Sequence, residues 1–155
     1  MAPMVSTVDE AEWFAEKARG FGLPKIGVMV EVPAAAIRSS QILSEVDFCS
    51  IGTNDLAQYT MASDRLNGEL AGLLSPWQPA VLRMIKFACE GGAATGKPVG
   101  VCGEAGGDPL MALVLTGLGV SSLSMAATKV NAVRAALHMH DLSTCQQMAA
   151  YALDA

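Results

Sequence analysis

Glu31, Asp55, Arg65 and Cys102 are the side chains of this 155-residue chain whose types and placement can do chemistry. Glu31 closes the apolar run Val28-Met29-Val30, and Asp55 follows Asn54 just after the next such run, which ends at Ser50-Ile51-Gly52. If the two runs are neighbouring strands, both carboxylates project into one strand-end pocket. Two carboxylates with open positions suit Mg²⁺, a hard cation that keeps waters and takes further oxygens from a substrate. The structural alternative is that Glu31 pairs with a lysine and Asp55 caps the helix that follows. Cys102 sits in Val99-Gly100-Val101-Cys102-Gly103-Glu104, a glycine-flanked turn that exposes backbone. A thiol there can transfer a proton or attack an electrophile; otherwise it packs as a small hydrophobe, the reading given to Cys49, Cys89 and Cys145. Arg65 can clamp a phosphate or carboxylate with its planar fork, or simply be solvated.

These residues need elements that carry them to one edge. Thr7-Val8-Asp9-Glu10 has the spacing of a capping box, which predicts a helix to Arg19, with Met4-Val5 ahead of it as the stub of a strand. Ile26 to Val32 reads as a buried strand, and Pro33 opens a helix from Ala34 to Val46. Asp47 to Gly52 is the next strand. The stretch Leu56 to Leu74 is longer and more polar than a minimal connection, with Asp64 to Gly68 as a loop. Pro79 starts a helix towards Thr95 that Gly96 stops, Pro98 to Val101 is a strand, and Asp108-Pro109 caps a helix from Leu110 to Leu115. Val120 to Met125 is the last strand, with Ser124 at its end. Helices follow from Lys129 to Met139 and from Ser143 to Leu153. His138 and His140 fall in this C-terminal helical region, far from the strand ends. Alternating units of this kind predict an α/β fold with parallel strands and right-handed crossovers, with chemistry at the strands' carboxyl ends.

Composition narrows the partners. Ten Lys and Arg against fifteen Asp and Glu give a net charge of −5, with no basic cluster to track a phosphate backbone, so nucleic acid is excluded as a partner. Apolar stretches are broken well short of the ~18 residues of a membrane span. Cys49, Cys89, Cys102 and Cys145 lie far apart with no CxxC spacing and no secretory signal, which fits a reducing cytoplasm. Gly103, Gly106 and Gly107 form neither a dinucleotide nor a P-loop fingerprint. At 52% hydrophobic residues the chain can bury one sizeable core, but a complete eight-stranded barrel needs roughly 250 residues.

Three sequence words identify a family. Ile26-Gly27-Val28-Met29-Val30-Glu31-Val32-Pro33-Ala34-Ala35-Ala36, then Val46-Asp47-Phe48-Cys49-Ser50-Ile51-Gly52-Thr53-Asn54-Asp55-Leu56-Ala57-Gln58-Tyr59-Thr60 with Asp64-Arg65, and Gly100-Val101-Cys102-Gly103-Glu104 with Gly107-Asp108-Pro109, occur in order along nearly the whole chain. They resemble the C-terminal domain of phosphoenolpyruvate-utilising enzymes, in particular enzyme I of the bacterial sugar phosphotransferase system. Pyruvate phosphate dikinase and phosphoenolpyruvate synthase are more distant relatives. The resemblance implies that Glu31 and Asp55 hold Mg²⁺, that Asn54 and Arg65 (with Asp55 beside them) bind the phosphate of phosphoenolpyruvate, and that Cys102 protonates the enolate to give pyruvate. A thiol within reach of the methylene carbon can act as such a general acid. Ser124 is then only a marker of the last strand. Ala57, Gln78 and Ala127 depart from the family's usual Thr, His and Pro, all outside the implied contacts.

The same resemblance makes residues 1–155 one partial barrel domain, from about the fourth strand to the eighth plus C-terminal helices, an excised or truncated piece. The phosphate-binding arginines of the early strands and the histidine that accepts the phosphoryl group have no counterpart here, and a phosphocarrier protein is the implied partner of the full-length enzyme. Alone, the chain is expected to be inactive. Two raw sheet edges and a hydrophobic inner face are expected to need cover, most simply from a second copy in a two-fold homodimer. An aldolase-type lyase using Mg²⁺, and a non-catalytic dimerisation module, are the alternative functions.

Overall fold

The computed structural model describes all residues, Met1–Ala155. In chain order the elements are α1 (Val8–Gly20), β1 (Gly27–Val30), α2 (Pro33–Ile37), α3 (Ser39–Glu45), β2 (Phe48–Gly52), α4 (Thr53–Thr60), α5 (Pro79–Thr95), β3 (Val99–Cys102), α6 (Pro109–Leu118), β4 (Ser122–Leu123), α7 (Ala127–Met139) and α8 (Leu142–Asp154). Short 3-10 turns occupy Gly68–Leu74 and Glu104–Gly107. The strands form one parallel sheet in the order β1-β2-β3-β4. The α/β class expected from the sequence is borne out as a partial barrel, and the sheet does not close on itself.

Alternation along the strands sorts the two faces. Val28, Val30, Cys49, Ile51, Val99 and Val101 are buried against the helices, in one core with Ile42, Leu43, Leu82, Ile85 and Leu115. The opposite face is open. Its middle row, linked by register, is Met29, Ser50, Gly100 and Ser122, and only Phe48, which lies over Gly27, adds an aromatic ring. The expected hydrophobic inner face is therefore corrected: two serines and a glycine make most of that row.

Local chemistry explains the helix starts. Thr7 Oγ1 accepts from the Glu10 amide at 3.2 Å, and Glu10 Oε2 accepts from the Ser6 and Thr7 amides, at 2.8 and 3.0 Å. Those two backbone donors, Ser6 first, hold the Glu10 carboxyl below its ordinary value. This support is present above the carboxylate range and fades as pH falls through it. Thr7→Ala should cost about 1 kcal/mol, read as a lower urea midpoint; an unchanged midpoint would mean that the cap does not hold α1. Asp108 Oδ1 likewise accepts from Leu110 and Met111 to start α6.

Three expectations need correction. The helix expected from Ala34 to Val46 is two, broken at Arg38. Ser39, 3% exposed, donates to the carbonyl of Phe87 on α5 at 2.8 Å. Gly91 of α5 permits that approach, because a Cβ there would collide with Ser39 Oγ and lie 2.6 Å from the Ser40 amide. The strand expected from Val120 to Met125 is only Ser122–Leu123, an edge with no further strand to pair with. The N-terminal stub is Ala2, not Met4-Val5: its N–H donates to Gly27 O at 3.0 Å and its carbonyl accepts from Met29 at 2.7 Å.

Candidate active site at the strand ends

Register assembles the site. Val30 pairs with Ile51 and Gly52 with Cys102, so Glu31, one residue beyond Val30, forms a row with Gly52 and Cys102 at the carboxyl edge of the sheet. Gly52 is the gap in that row, since a Cβ there would lie 2.7 Å from both Cγ and Oε1 of Glu31. Glu31 lays its side chain across that gap. It is 8% exposed, and its Oε2 accepts from the Met4 amide at 2.9 Å; the lysine partner of the structural alternative is not found.

The first turn of α4 starts directly at the end of β2, with Gly52 as its cap residue. Thr53, 2% exposed, donates from Oγ1 to the Cys102 carbonyl at 3.4 Å, tying α4 to the end of β3. Asn54 is exposed beside Gly103, whose φ of +94° suits the absence of a side chain. Asp55 does not cap the helix; its Oδ1 lies 3.3 Å from Arg65 Nη1. Arg65 reaches back from the loop after α4, where its own N–H donates to Gln58 Oε1 at 3.2 Å. The Arg65 and Asp55 side chains are 54% and 28% exposed, so the pair is worth at most about 1 kcal/mol. Its effect is to tie the loop after α4 back to the first turn of that helix.

Cys102 is half-buried, and its Sγ–H donates to the Ile51 carbonyl at 3.5 Å. Cys49, Cys89 and Cys145 are buried, as the sequence suggested. Burial pushes the Cys49 and Cys89 thiols up to about 12. A thiol reagent near neutral pH should therefore label Cys102 alone until the chain unfolds; labelling of Cys49 or Cys89 at the same rate would contradict their burial. The raised values also carry a sign. Below the unfolded thiol range their stabilisation is complete. As pH climbs from about 9 towards 12 the unfolded chain loses protons first, so stability should fall by up to ~1.4 kcal/mol per pH unit for each thiol. Equal urea midpoints at pH 8 and pH 10 would refute this.

Ser124 is exposed and takes part through its backbone, donating to Val101 O at 2.8 Å. Beside it opens a cleft of about 530 Å³ lined by Glu104, Gly107, Asp108, Pro109, Ala126 and Lys129. His138 and His140 are exposed on the last turn of α7 and beyond it. No helix is long and apolar enough to cross a membrane.

Comparison with known proteins decides the family. The family described as "PEP-utilising enzyme, PEP-binding domain" matches residues 1–142. The chain belongs to that family. It is 52% identical over 153 residues to the phosphoenolpyruvate-protein phosphotransferase of Streptomyces coelicolor, covering 98% of this chain and 28% of that protein. To the protein of the same name from Latilactobacillus sakei it is 49% identical over 117 residues, 76% of this chain and 20% of the relative. A multiphosphoryl transfer protein of Xanthomonas campestris is 45% identical over 159 residues, 99% of this chain and 19% of the relative. The chain thus spans between 19% and 28% of the length of these relatives.

Within this PEP-binding domain family the donor set can be tested for a cation. No cluster of three or more His, Cys, Asp or Glu side chains is assembled. Glu31 and Asp55 offer hard carboxylate oxygens near the ends of adjacent strands, and a cation bound there would draw the rest of its shell from water or substrate. That fits Mg²⁺, which seldom uses an all-protein cage. Sequence reasoning missed Gly52, Thr53, Gln58 and Met4. The first two stand inside the Gly52-Thr53-Asn54-Asp55 word and were recoverable from it, whereas nothing in the sequence marks Met4.

Proposed function

We propose that the chain is the C-terminal part of a phosphoenolpyruvate–protein phosphotransferase, binding phosphoenolpyruvate and Mg²⁺ at the strand-end edge while a phosphoryl group passes to a histidine outside residues 1–155. The supporting observation is the row Glu31, Gly52 and Cys102, with the Asp55 and Arg65 pair beside it. Glu31 and Asp55 would hold Mg²⁺, which when bound neutralises charge on the substrate's phosphate and carboxylate. Asn54 and Arg65 would bind the phosphate, the guanidinium exchanging its Asp55 contact for phosphate oxygens. Transfer of the phosphoryl group to a histidine nitrogen breaks the bond to the enol oxygen and leaves the enolate of pyruvate. The Cys102 thiol would then give its proton to the methylene carbon, yielding pyruvate and a thiolate that water reprotonates.

In this reading residues 1–155 act as one domain, the later part of a barrel, serving a phosphocarrier protein in the cytoplasm. The four unpaired thiols support the compartment. A homodimer is part of the proposal, supported by the uncapped β4 edge; a compact monomer by sedimentation at micromolar concentration would refute it.

The deciding experiment replaces the matching segment of the Streptomyces coelicolor relative with residues 1–155. The chimaera should release pyruvate from phosphoenolpyruvate in the presence of Mg²⁺, and the 155-residue chain alone should not. A folded chimaera without pyruvate release would overturn the reading. Cleavage of a pyruvate-derived aldol by the chain alone would favour the lyase.

A further inference from the structure

We propose that the backbone amide of Met4 is a positioning group for Glu31, acting with the absent side chain of Gly52 so that Oε1 alone faces a bound divalent cation. The inference rests on the cation reading of Glu31 given above and adds how this carboxylate is held.

Met4 has φ of +56°, a left-handed conformation that a residue with a long side chain rarely adopts. Its side chain does not explain this, being 41% exposed. The residues around it fix the turn. Ala2, 7% exposed, is bonded to β1 through both its N–H and its carbonyl, and Val5, 4% exposed, is buried in the core. Between these anchors the left-handed turn aims the Met4 N–H at Glu31 Oε2, to which it donates at 2.9 Å, while the Met4 carbonyl turns the other way and accepts from the Ser6 hydroxyl at 3.4 Å. Strain that persists because its surroundings impose it points to a function when it presents a group to a site.

The opposite side of the carboxylate is set by Gly52. Any side chain there would start 2.7 Å from Oε1 and push it off the row. One oxygen is thus engaged by an amide and the other lies over the only residue of the row without a Cβ. These two contacts fix rotation about the Cγ–Cδ bond and leave Oε1 without a hydrogen-bond donor, so Oε1 would be the oxygen offered to a cation. Outer partners of this kind typically change metal affinity about 10- to 100-fold when removed.

The test measures Mn²⁺ binding to the 155-residue chain by the paramagnetic resonance signal of the free ion, with amide NMR under Mg²⁺ as the second readout. Met4→Pro removes the N–H and cannot adopt positive φ; it should weaken Mn²⁺ binding at least about tenfold. Met4→Gly keeps the amide and accepts the turn, so it should bind as wild type does. Gly52→Ala leaves the N-terminal segment untouched and should weaken binding to a similar degree. In the wild-type spectrum the Met4 amide proton should lie downfield, move upfield in Glu31→Gln and shift on Mg²⁺ addition. Wild-type affinity in Met4→Pro, or a Met4 amide that ignores Glu31→Gln, would overturn the positioning role while leaving the cation site intact. Failure of the wild-type chain to bind Mn²⁺ at millimolar concentration would remove the cation reading, and this inference with it.

Discussion

Gly117→Ala should destabilise the fold by roughly 3 kcal/mol, the upper end of the range for overpacking. Gly117 lies in the last turn of α6, where α8 crosses it, and an added Cβ would collide with the Cys145 carbonyl group and lie 2.9 Å from the Gln146 amide. All of these are backbone atoms of α8, so no side-chain rotation relieves the clash. Either α8 lifts away, exposing the buried Cys145 and Ala149, or α6 shifts in the core through Met111, Val114 and Leu115. Urea unfolding should show a lower midpoint, and limited proteolysis should cut first in α8. A loss smaller than about 0.5 kcal/mol, the usual scatter of surface changes, would mean that α8 does not pack as described. Gly72, whose added Cβ meets nothing within 4 Å, is the matched control.

Cys102→Ala in the chimaera should lower pyruvate release by about 10²- to 10⁴-fold, the usual worth of a positioned proton donor. The thiol occupies the row next to Gly52, its carbonyl is held by Thr53 and its sulfur by Ile51 O, so its place does not depend on a flexible loop. Alanine deletes one half-buried sulfur and should leave the unfolding midpoint near wild type, which separates chemistry from stability. Cys102→Ser keeps a proton at nearly the same place but makes it far less acidic, and should recover little of the rate. Release within threefold of wild type for Cys102→Ala, on the order of a single weak contact, would assign the carbon protonation to another group or to water.

Much of the frame was legible because local rules and tertiary demands agree in it. The box at Thr7 and Glu10, the cap at Asp108-Pro109 and the stop at Gly96, where φ is +67°, lie where their residue types predict. The site edge was legible for a different reason: β2 passes straight into α4, so a single word, Gly52-Thr53-Asn54-Asp55, carries strand end, cap residue and first turn together. What escaped depends on contacts distant in sequence. The break at Arg38 follows from Ser39 meeting Phe87 on another helix, and β4 is short because it lacks a neighbour on one side. The Arg65 contact with Asp55 spans a loop whose path no local rule fixes. Met4 opposes its own local preference, and only the buried anchors on either side reveal why.

The open face of the sheet has a further consequence. Along Met29, Ser50, Gly100 and Ser122 the strands contribute little bulk, and a Cβ added at Gly100 would already sit 2.8 Å from Ser122 Oγ. Barrel interiors are filled by layers of side chains, and a hollow left unfilled costs about 24 cal/mol per Å³. A second copy laid face to face would meet serine and glycine with more serine and glycine. Volume, more than greasiness, is what this surface lacks: whatever covers it has to bring large side chains, and a two-fold pair of these chains does better to join along edges or helices than to turn its hollows towards each other.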